Sequence, residues 1–246
     1  MLFFSKKKPT LAELIPENFT DIHSHLLPGI DDGSKTFEQT LLMMMSLKYI
    51  GFSAFITTPH IIQHVWNNTT EIINNTQDRT LLDLRNSKFT SPFRAAAEYF
   101  MDDNFNKLVE TRDLLTIKDN YVLVEMSYMN APIQLYTILF DLQVAGYIPV
   151  LAHPERYLFY HNNLSEYHKL KKAGCKFQLN LLAVTGYYGN QVASVAEKLL
   201  MGGLYDFVGS DVHHEKHIDS FNEKVKIKDL TPLKEVIKNN EFFAFE

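Results

Sequence analysis

Thiols are nearly absent: Cys175 is the single cysteine among 246 residues. It cannot close a disulfide within the chain or build a thiolate metal cluster, and its isolation suits a reducing compartment, so a cytoplasmic location is expected. A nucleophilic thiol needs a depressed pKa beside positive charge. Cys175 instead opens the run Cys175-Lys176-Phe177-Gln178-Leu179-Asn180 with no arginine in the following segment, the setting of a buried structural thiol. Arginine is itself scarce, with five in the chain. Positive charge is outnumbered, 24 Lys and Arg against 29 Asp and Glu for a net -5, which argues against an extended nucleic-acid surface. No apolar run approaches a membrane span, and the opening MLFFSKKKPT sets its lysines after a short apolar stretch, the reverse of a secretory signal. No membrane insertion is expected, and Lys6-Lys7-Lys8 reads as a solvated tail. A glycine-rich nucleotide loop is missing, since Gly202-Gly203 looks like a helix stop. Linkers and internal repeats are missing too, so residues 1–246 are expected to form one domain with 1–18 as an N-terminal extension.

What is present is an alternation of short apolar runs with longer helical patterns, the mark of an α/β domain. Seven strands are expected at 19–25, 52–58, 93–98, 121–125, 147–152, 175–181 and 205–210. Several are apolar on both faces, as in parallel strands covered by helices. Helices are expected from Thr36 to a stop at Gly51, over 70–85, from a cap at Asn130 through Pro132 to Gly146, and from Thr231-Pro232 onward. Gly174 and Gly202 end two more. The polar stretch 64–91 is expected to cover one side of the site, and Met43-Met44-Met45 to be adaptable core.

Ionisable residues cluster at the ends of these strands. His23 and His25, two apart, share a strand face and can hold one cation. The other ends carry His60 in Thr57-Thr58-Pro59-His60, Glu98, Glu125, His153 in His153-Pro154-Glu155-Arg156, and Asp211 with His213 in Ser210-Asp211-Val212-His213. Glu125 closes the apolar run Tyr121-Val122-Leu123-Val124, and a buried carboxylate costs several kcal/mol unless a cation pairs with it. Of the arginines only Arg156 lies beside such a motif, so a cation from solution is the simpler partner. In a parallel barrel or open α/β sheet the carboxyl ends of the strands converge, which makes the set a candidate metal site. Imidazole and carboxylate without thiolate suit Zn, Mn or Fe. Asp31 and Asp32, in the loop Leu27-Pro28-Gly29-Ile30-Asp31-Asp32-Gly33, face the same rim, Asp32 as a further candidate ligand. His64, His161, His168, His214 and His217 are expected at the surface or behind the site.

These motifs, from Asp21-Ile22-His23-Ser24-His25 with its Asp31-Asp32-Gly33 loop to Ser210-Asp211-Val212-His213, resemble the PHP (polymerase and histidinol phosphatase) superfamily. Within it the likeness is to the bacterial manganese-dependent tyrosine-protein phosphatases of capsule and exopolysaccharide loci. The resemblance implies a distorted (β/α)7 TIM-like barrel with three divalent metal ions, manganese, iron or zinc. It implies His23, His25, Glu98 and Asp211 around one ion, Glu98 bridging to a second held also by Glu125 and His153, and Asp32, His60 and His213 around the third. Hydrolysis of a phosphomonoester by a metal-bridging hydroxide follows, with Arg156 holding the phosphoryl oxygens and no general acid assigned. The implied substrate is phosphotyrosine on a protein, an autophosphorylated bacterial tyrosine kinase tail in polysaccharide synthesis or export. A small-molecule phosphatase, such as one acting on histidinol phosphate, and a non-catalytic metal-dependent binding module are the alternatives. One departure stands out: the resembled pneumococcal-type members carry another phosphate-binding arginine after the last motif. Here His214-Glu215-Lys216-His217 follows, leaving Lys216 or His217 to substitute.

Overall fold

The computed structural model describes residues 7–245, so Lys6 of the basic run lies outside the described residues. Among the described residues nine parallel strands form two sheets. In the first, β1 (Phe19–Asp21) pairs with β2 (Phe52–Thr57), and β2 with β4 (Phe93–Ala95). The second runs in the order β3 (His60–Ile61), β5 (Glu98–Phe100), β6 (Tyr121–Glu125), β7 (Ile148–Ala152), β8 (Lys176–Asn180) and β9 (Phe207–Gly209).

The seven expected strands appear as seven staves, two of them broken. Strand β2 passes through Thr58-Pro59 into β3, and β4 through Ala96-Ala97 into β5. Pro59 has no N–H to give to a ladder, yet its carbonyl accepts from the Glu98 amide at 3.1 Å, so the two broken staves stay paired while their ends are re-aimed inward. The first stave also leaves regular pairing after Asp21, earlier than expected, because its continuation crosses to the last one. Ser24 pairs in parallel with Val212, the Asp211 amide donates to the His23 carbonyl at 2.7 Å and the His25 amide to the Val212 carbonyl at 2.9 Å. That seam closes a distorted barrel, the fold expected. Ile22, Ile56, Leu123 and Val150, from staves on opposite sides, belong to one apolar cluster in its lumen.

Helices separate the staves: α1 (Phe37–Ile50), α2 (Thr70–Asn86), α3 (Asp103–Thr111), α4 (Leu135–Val144), α5 (Leu164–Lys172) and α6 (Asn190–Met201), followed by α7 (Glu215–Asp219) and α8 (Thr231–Asn239). The Thr36 hydroxyl caps α1 and Gly51, at φ 127°, stops it, as its sequence indicates. Helix α4 starts later than Asn130. The residue before Pro132 is pushed out of helical space, and the Asn130 side chain donates to the Ala131 carbonyl instead of capping. Helix α2 packs outside β4, its Gln77 side chain accepting from the Ala95 amide, so only the turn at 62–66 reaches the mouth. Of the methionine run, Met43 and Met44 are buried and Met45 is exposed. Among the described residues no helix is long and apolar enough to cross a membrane.

Candidate metal centre

The carboxyl ends of the staves bring all nine expected ligand residues to one end of the barrel. Glu98 lies at the middle of them. Its Oε2 is 3.2 Å from His23 Nε2, 3.5 Å from His25 Nε2 and 3.1 Å from His60 Nδ1, and its Oε1 is 3.1 Å from His153 Nε2. Asp211 Oδ1 lies 3.4 Å from His23 Nε2 and 3.5 Å from His25 Nε2, while Glu125 Oε1 is 3.1 Å from His60 Nδ1. Asp32 Oδ1 reaches both His60 Nε2 and His213 Nε2 at 3.5 Å. Among the described residues four groups have ligand atoms close enough to share a cation: His25, Asp32, His60 and His213; His23, His25 and Asp211; His23, Glu98 and His153; and His60, Glu98 and Glu125. Glu125 and His153 fall in different groups, unlike the arrangement the resemblance implies.

Backbone strain and two glycines shape this arrangement. His153 and Asp211, at the ends of β7 and β9, both take positive φ (37° and 51°), a conformation that costs a non-glycine residue on the order of 1–3 kcal/mol. A Cβ on Gly33 would lie 2.2 Å from the His25 carbonyl oxygen, and one on Gly209 would lie 2.0 Å from Gln178 Nε2 and 2.6 Å from His23 Cβ. We therefore expect Gly209→Ala to lower stability by about 1–3 kcal/mol in thermal unfolding. Gly202→Ala, where the nearest atom would be 3.3 Å away, is the control and should be close to neutral. Equal melting temperatures for the two variants would contradict the packing described.

A second ring of polar residues holds the first, and sequence reasoning missed most of it. Gln178 Oε1 meets His23 Nδ1 at 3.0 Å, Asp31 Oδ2 meets His25 Nδ1 at 2.8 Å, and Asn180 Nδ2 donates to Asp211 Oδ2 at 2.7 Å. Such partners fix imidazole tautomers and aim their free nitrogens at a metal. The signal was there: Gln178 and Asn180 are two apart on one face of β8, alternating with the apolar Phe177 and Leu179. His217 is buried behind His213, whose amide donates to its Nδ1 at 3.2 Å, and is not free at the mouth. His161 is buried as well, its Nε2 2.7 Å from the Glu155 carbonyl, whereas His64, His168 and His214 are exposed as expected.

Charge in this site is balanced by protons where no other cation is supplied. Burial disfavours the charged imidazole of His23, but Glu98 and Asp211 outweigh it and push its pKa up to about 9; His25 is raised likewise by Asp31 against its burial. The reciprocal effect holds Glu98 and Asp211 well below the usual carboxylate range despite burial. Burial, with Arg156 nearby, lowers His153. Two buried atoms in the centre of the cluster, Glu98 Oε2 and His60 Nδ1, have no hydrogen-bond partner. Orphaned donors and acceptors of this kind, in an all-N/O set, fit divalent cations.

Arg156 closes the other side. Its Nη1 donates to Asp211 Oδ2 at 2.8 Å, and its guanidinium lies between the Tyr188 ring at 4.2 Å and the Tyr128 ring at 4.8 Å. Neighbouring Glu155 turns inward to Tyr205 and the Asn180 amide, and burial lifts it to about 7. Lys216 is exposed on α7, in a groove that shares Asp32 and His213 with the site but lies beside the mouth. Cys175 is buried and pushed up to about 12 by that burial, so it supplies no thiolate.

The sequence pattern of the family described as "capsular polysaccharide synthesis, CpsB/CapC" matches residues 19–223, from β1 past the last motif. The chain belongs to that family. A CpsB/CapC relative, the tyrosine-protein phosphatase YwqE of Bacillus subtilis, is 30% identical over 199 residues, covering 80% of this chain and 78% of its own. The tyrosine-protein phosphatase CpsB of Streptococcus pneumoniae is 28% identical over 202 residues, covering 79% and 82%. A crystal structure from work on those two proteins, described as unique metal-dependent tyrosine phosphatases, superposes with a TM-score of 0.80 at 26% identity, over 92% of this chain and 94% of that one. That solved structure thus shares the barrel over nearly the whole of this chain.

Proposed function

We propose that this CpsB/CapC member is a metal-dependent protein-tyrosine phosphatase acting in the cytoplasm on the phosphotyrosine tail of a bacterial tyrosine kinase in polysaccharide synthesis. The observation that carries the proposal is the buried carboxylate of Glu98 set among four imidazoles, with two orphaned polar atoms at the centre. His23, His25, Asp32, His60, Glu98, Glu125, His153, Asp211 and His213 would hold three divalent ions, manganese in first place, with iron or zinc as alternatives. When bound, such ions supply positive charge for the phosphoryl oxygens and make hydroxide available near neutral pH. Arg156, preorganised between two tyrosine rings, grips the phosphoryl oxygens from the other side, and Lys216 adds charge at the rim. Asp31 and Gln178 keep the first two imidazoles aimed. A phenolate leaves readily, so no side chain is assigned to protonate it.

Phosphate release from a phosphotyrosine peptide, a phosphoserine peptide and histidinol phosphate tests the proposal. Turnover should favour the phosphotyrosine peptide and stop in chelator; preference for histidinol phosphate would move the enzyme to small-molecule chemistry.

A pH effect follows from His23. It carries a proton at pH 7 in the metal-free chain and must lose it to act as a ligand, so metal affinity rises with pH from 7 toward about 9. Calorimetry of Mn addition at pH 7 in buffers of different ionisation enthalpy should show release of about one proton or more per chain. Proton-neutral uptake would contradict the charge balance described.

A further inference from the structure

The mouth of the site is a cavity of about 400 Å³ with a charged floor and apolar walls. His60, Glu125, Arg156 and Asp211 line the floor, while Ile62 and Trp66 come from the turn after β3 and Tyr128 and Met129 from the turn after β6. Ile62, Trp66 and Met129 take no part in the chemistry described above, and Tyr128 enters it only by flanking Arg156. Both walls are fixed. Ile62 and Trp66 exchange backbone hydrogen bonds of 3.0 and 2.9 Å, and Asn68 in the same turn donates to the His60 carbonyl at 2.8 Å, which ties Trp66 to a floor residue. Tyr128 stacks on His153 with ring centroids 5.8 Å apart at 25°, and it also meets the Tyr157 ring at 5.9 Å and the Arg156 guanidinium. Yet Tyr128 is 44% and Met129 83% exposed, apolar area left facing water beside the most polar place in the molecule.

A phosphoryl group held on the floor projects its ester substituent between these walls. An aryl ring fills such a space with stacking surface, and it sets the main chain of a protein substrate outside the rim. The single methylene of a serine phosphate does neither, and would draw main chain against the walls. We propose that Trp66 and Tyr128, one on each wall, form the subsite that reads the aromatic ring and so select aryl over alkyl phosphates. This rests on the phosphatase reading of the floor and names the part of the site that would set its substrate class.

Trp66 is the single tryptophan, so its emission reports on the wall directly. In the metal-loaded chain, benzylphosphonate should change that emission at concentrations where propylphosphonate leaves it unaltered. In parallel, Trp66→Ala should lower the ratio of kcat/KM for phosphotyrosine over phosphoserine peptide by about 10- to 100-fold, with Trp66→Phe restoring most of it. Equal emission responses to the two phosphonates, or a ratio unmoved in Trp66→Ala, overturns the proposal. The emission experiment uses the native chain and decides the matter even if the variant fails to fold. Selective emission without turnover of any phosphopeptide would keep the ring subsite and remove the phosphatase reading; turnover of phosphotyrosine with unselective emission would do the reverse.

Discussion

Glu98→Gln is expected to reduce phosphate release from a phosphotyrosine peptide by about a thousandfold or more, because one carboxylate stands beside four imidazoles and belongs to two of the groups that could share a cation. Glutamine preserves shape and volume but presents a neutral amide to four imidazoles, whose nearest nitrogens stand 3.1 to 3.5 Å from the present oxygens. The loss should be accompanied by a fall in bound metal, measured on the purified variant. It also removes the charge that helps hold the His23 proton, so in the metal-free chain His23 should titrate lower than about 9. Full activity and full metal content in this variant would mean that the buried cluster is a structural ion network.

Arg156→Lys is expected to cost about a hundredfold in kcat/KM although it keeps the charge. The guanidinium stands over two tyrosine rings, at 4.8 and 4.2 Å, and spends one N–H on Asp211, leaving others of its fork for a phosphoryl group. An ammonium offers neither the fork nor the stacking geometry. Arg156→Ala should lose at least as much and leave Asp211 Oδ2 with Asn180 as its remaining partner. If the lysine variant keeps its activity, Arg156 acts through Asp211 alone and the phosphate is gripped elsewhere, with Lys35 and Lys216 in the adjoining groove as the next cations to test.

The parts of this protein that could be read in its sequence are those where one residue decides the local structure or charge. Gly51 stops α1, Thr36 caps it, and the isolated acids and imidazoles at the ends of apolar runs marked where the staves converge. The runs also showed the right number of staves. They did not show that two are broken, because Pro59 and the Ala96-Ala97 step alter pairing that depends on partners distant in the chain. Asn130 looked like a cap, but the proline two residues on displaced the helix start. Gln178 and Asn180 were passed over, and Asp31 was placed at the rim without its partner His25, for a different reason: a residue that holds a ligand carries no motif of its own until the fold shows what it touches. The two walls of the mouth were equally silent, since Trp66 and Tyr128 lie in separate turns and become neighbours of one cavity only when the barrel closes.

The most direct test of a metal-dependent phosphotyrosine phosphatase is to strip the chain with chelator and follow phosphate release from a phosphotyrosine peptide before and after adding Mn. We expect no release from the stripped chain, recovery on addition, and no recovery in His153→Ala. Undiminished release from the stripped chain would contradict the assignment of this cluster as the catalytic centre.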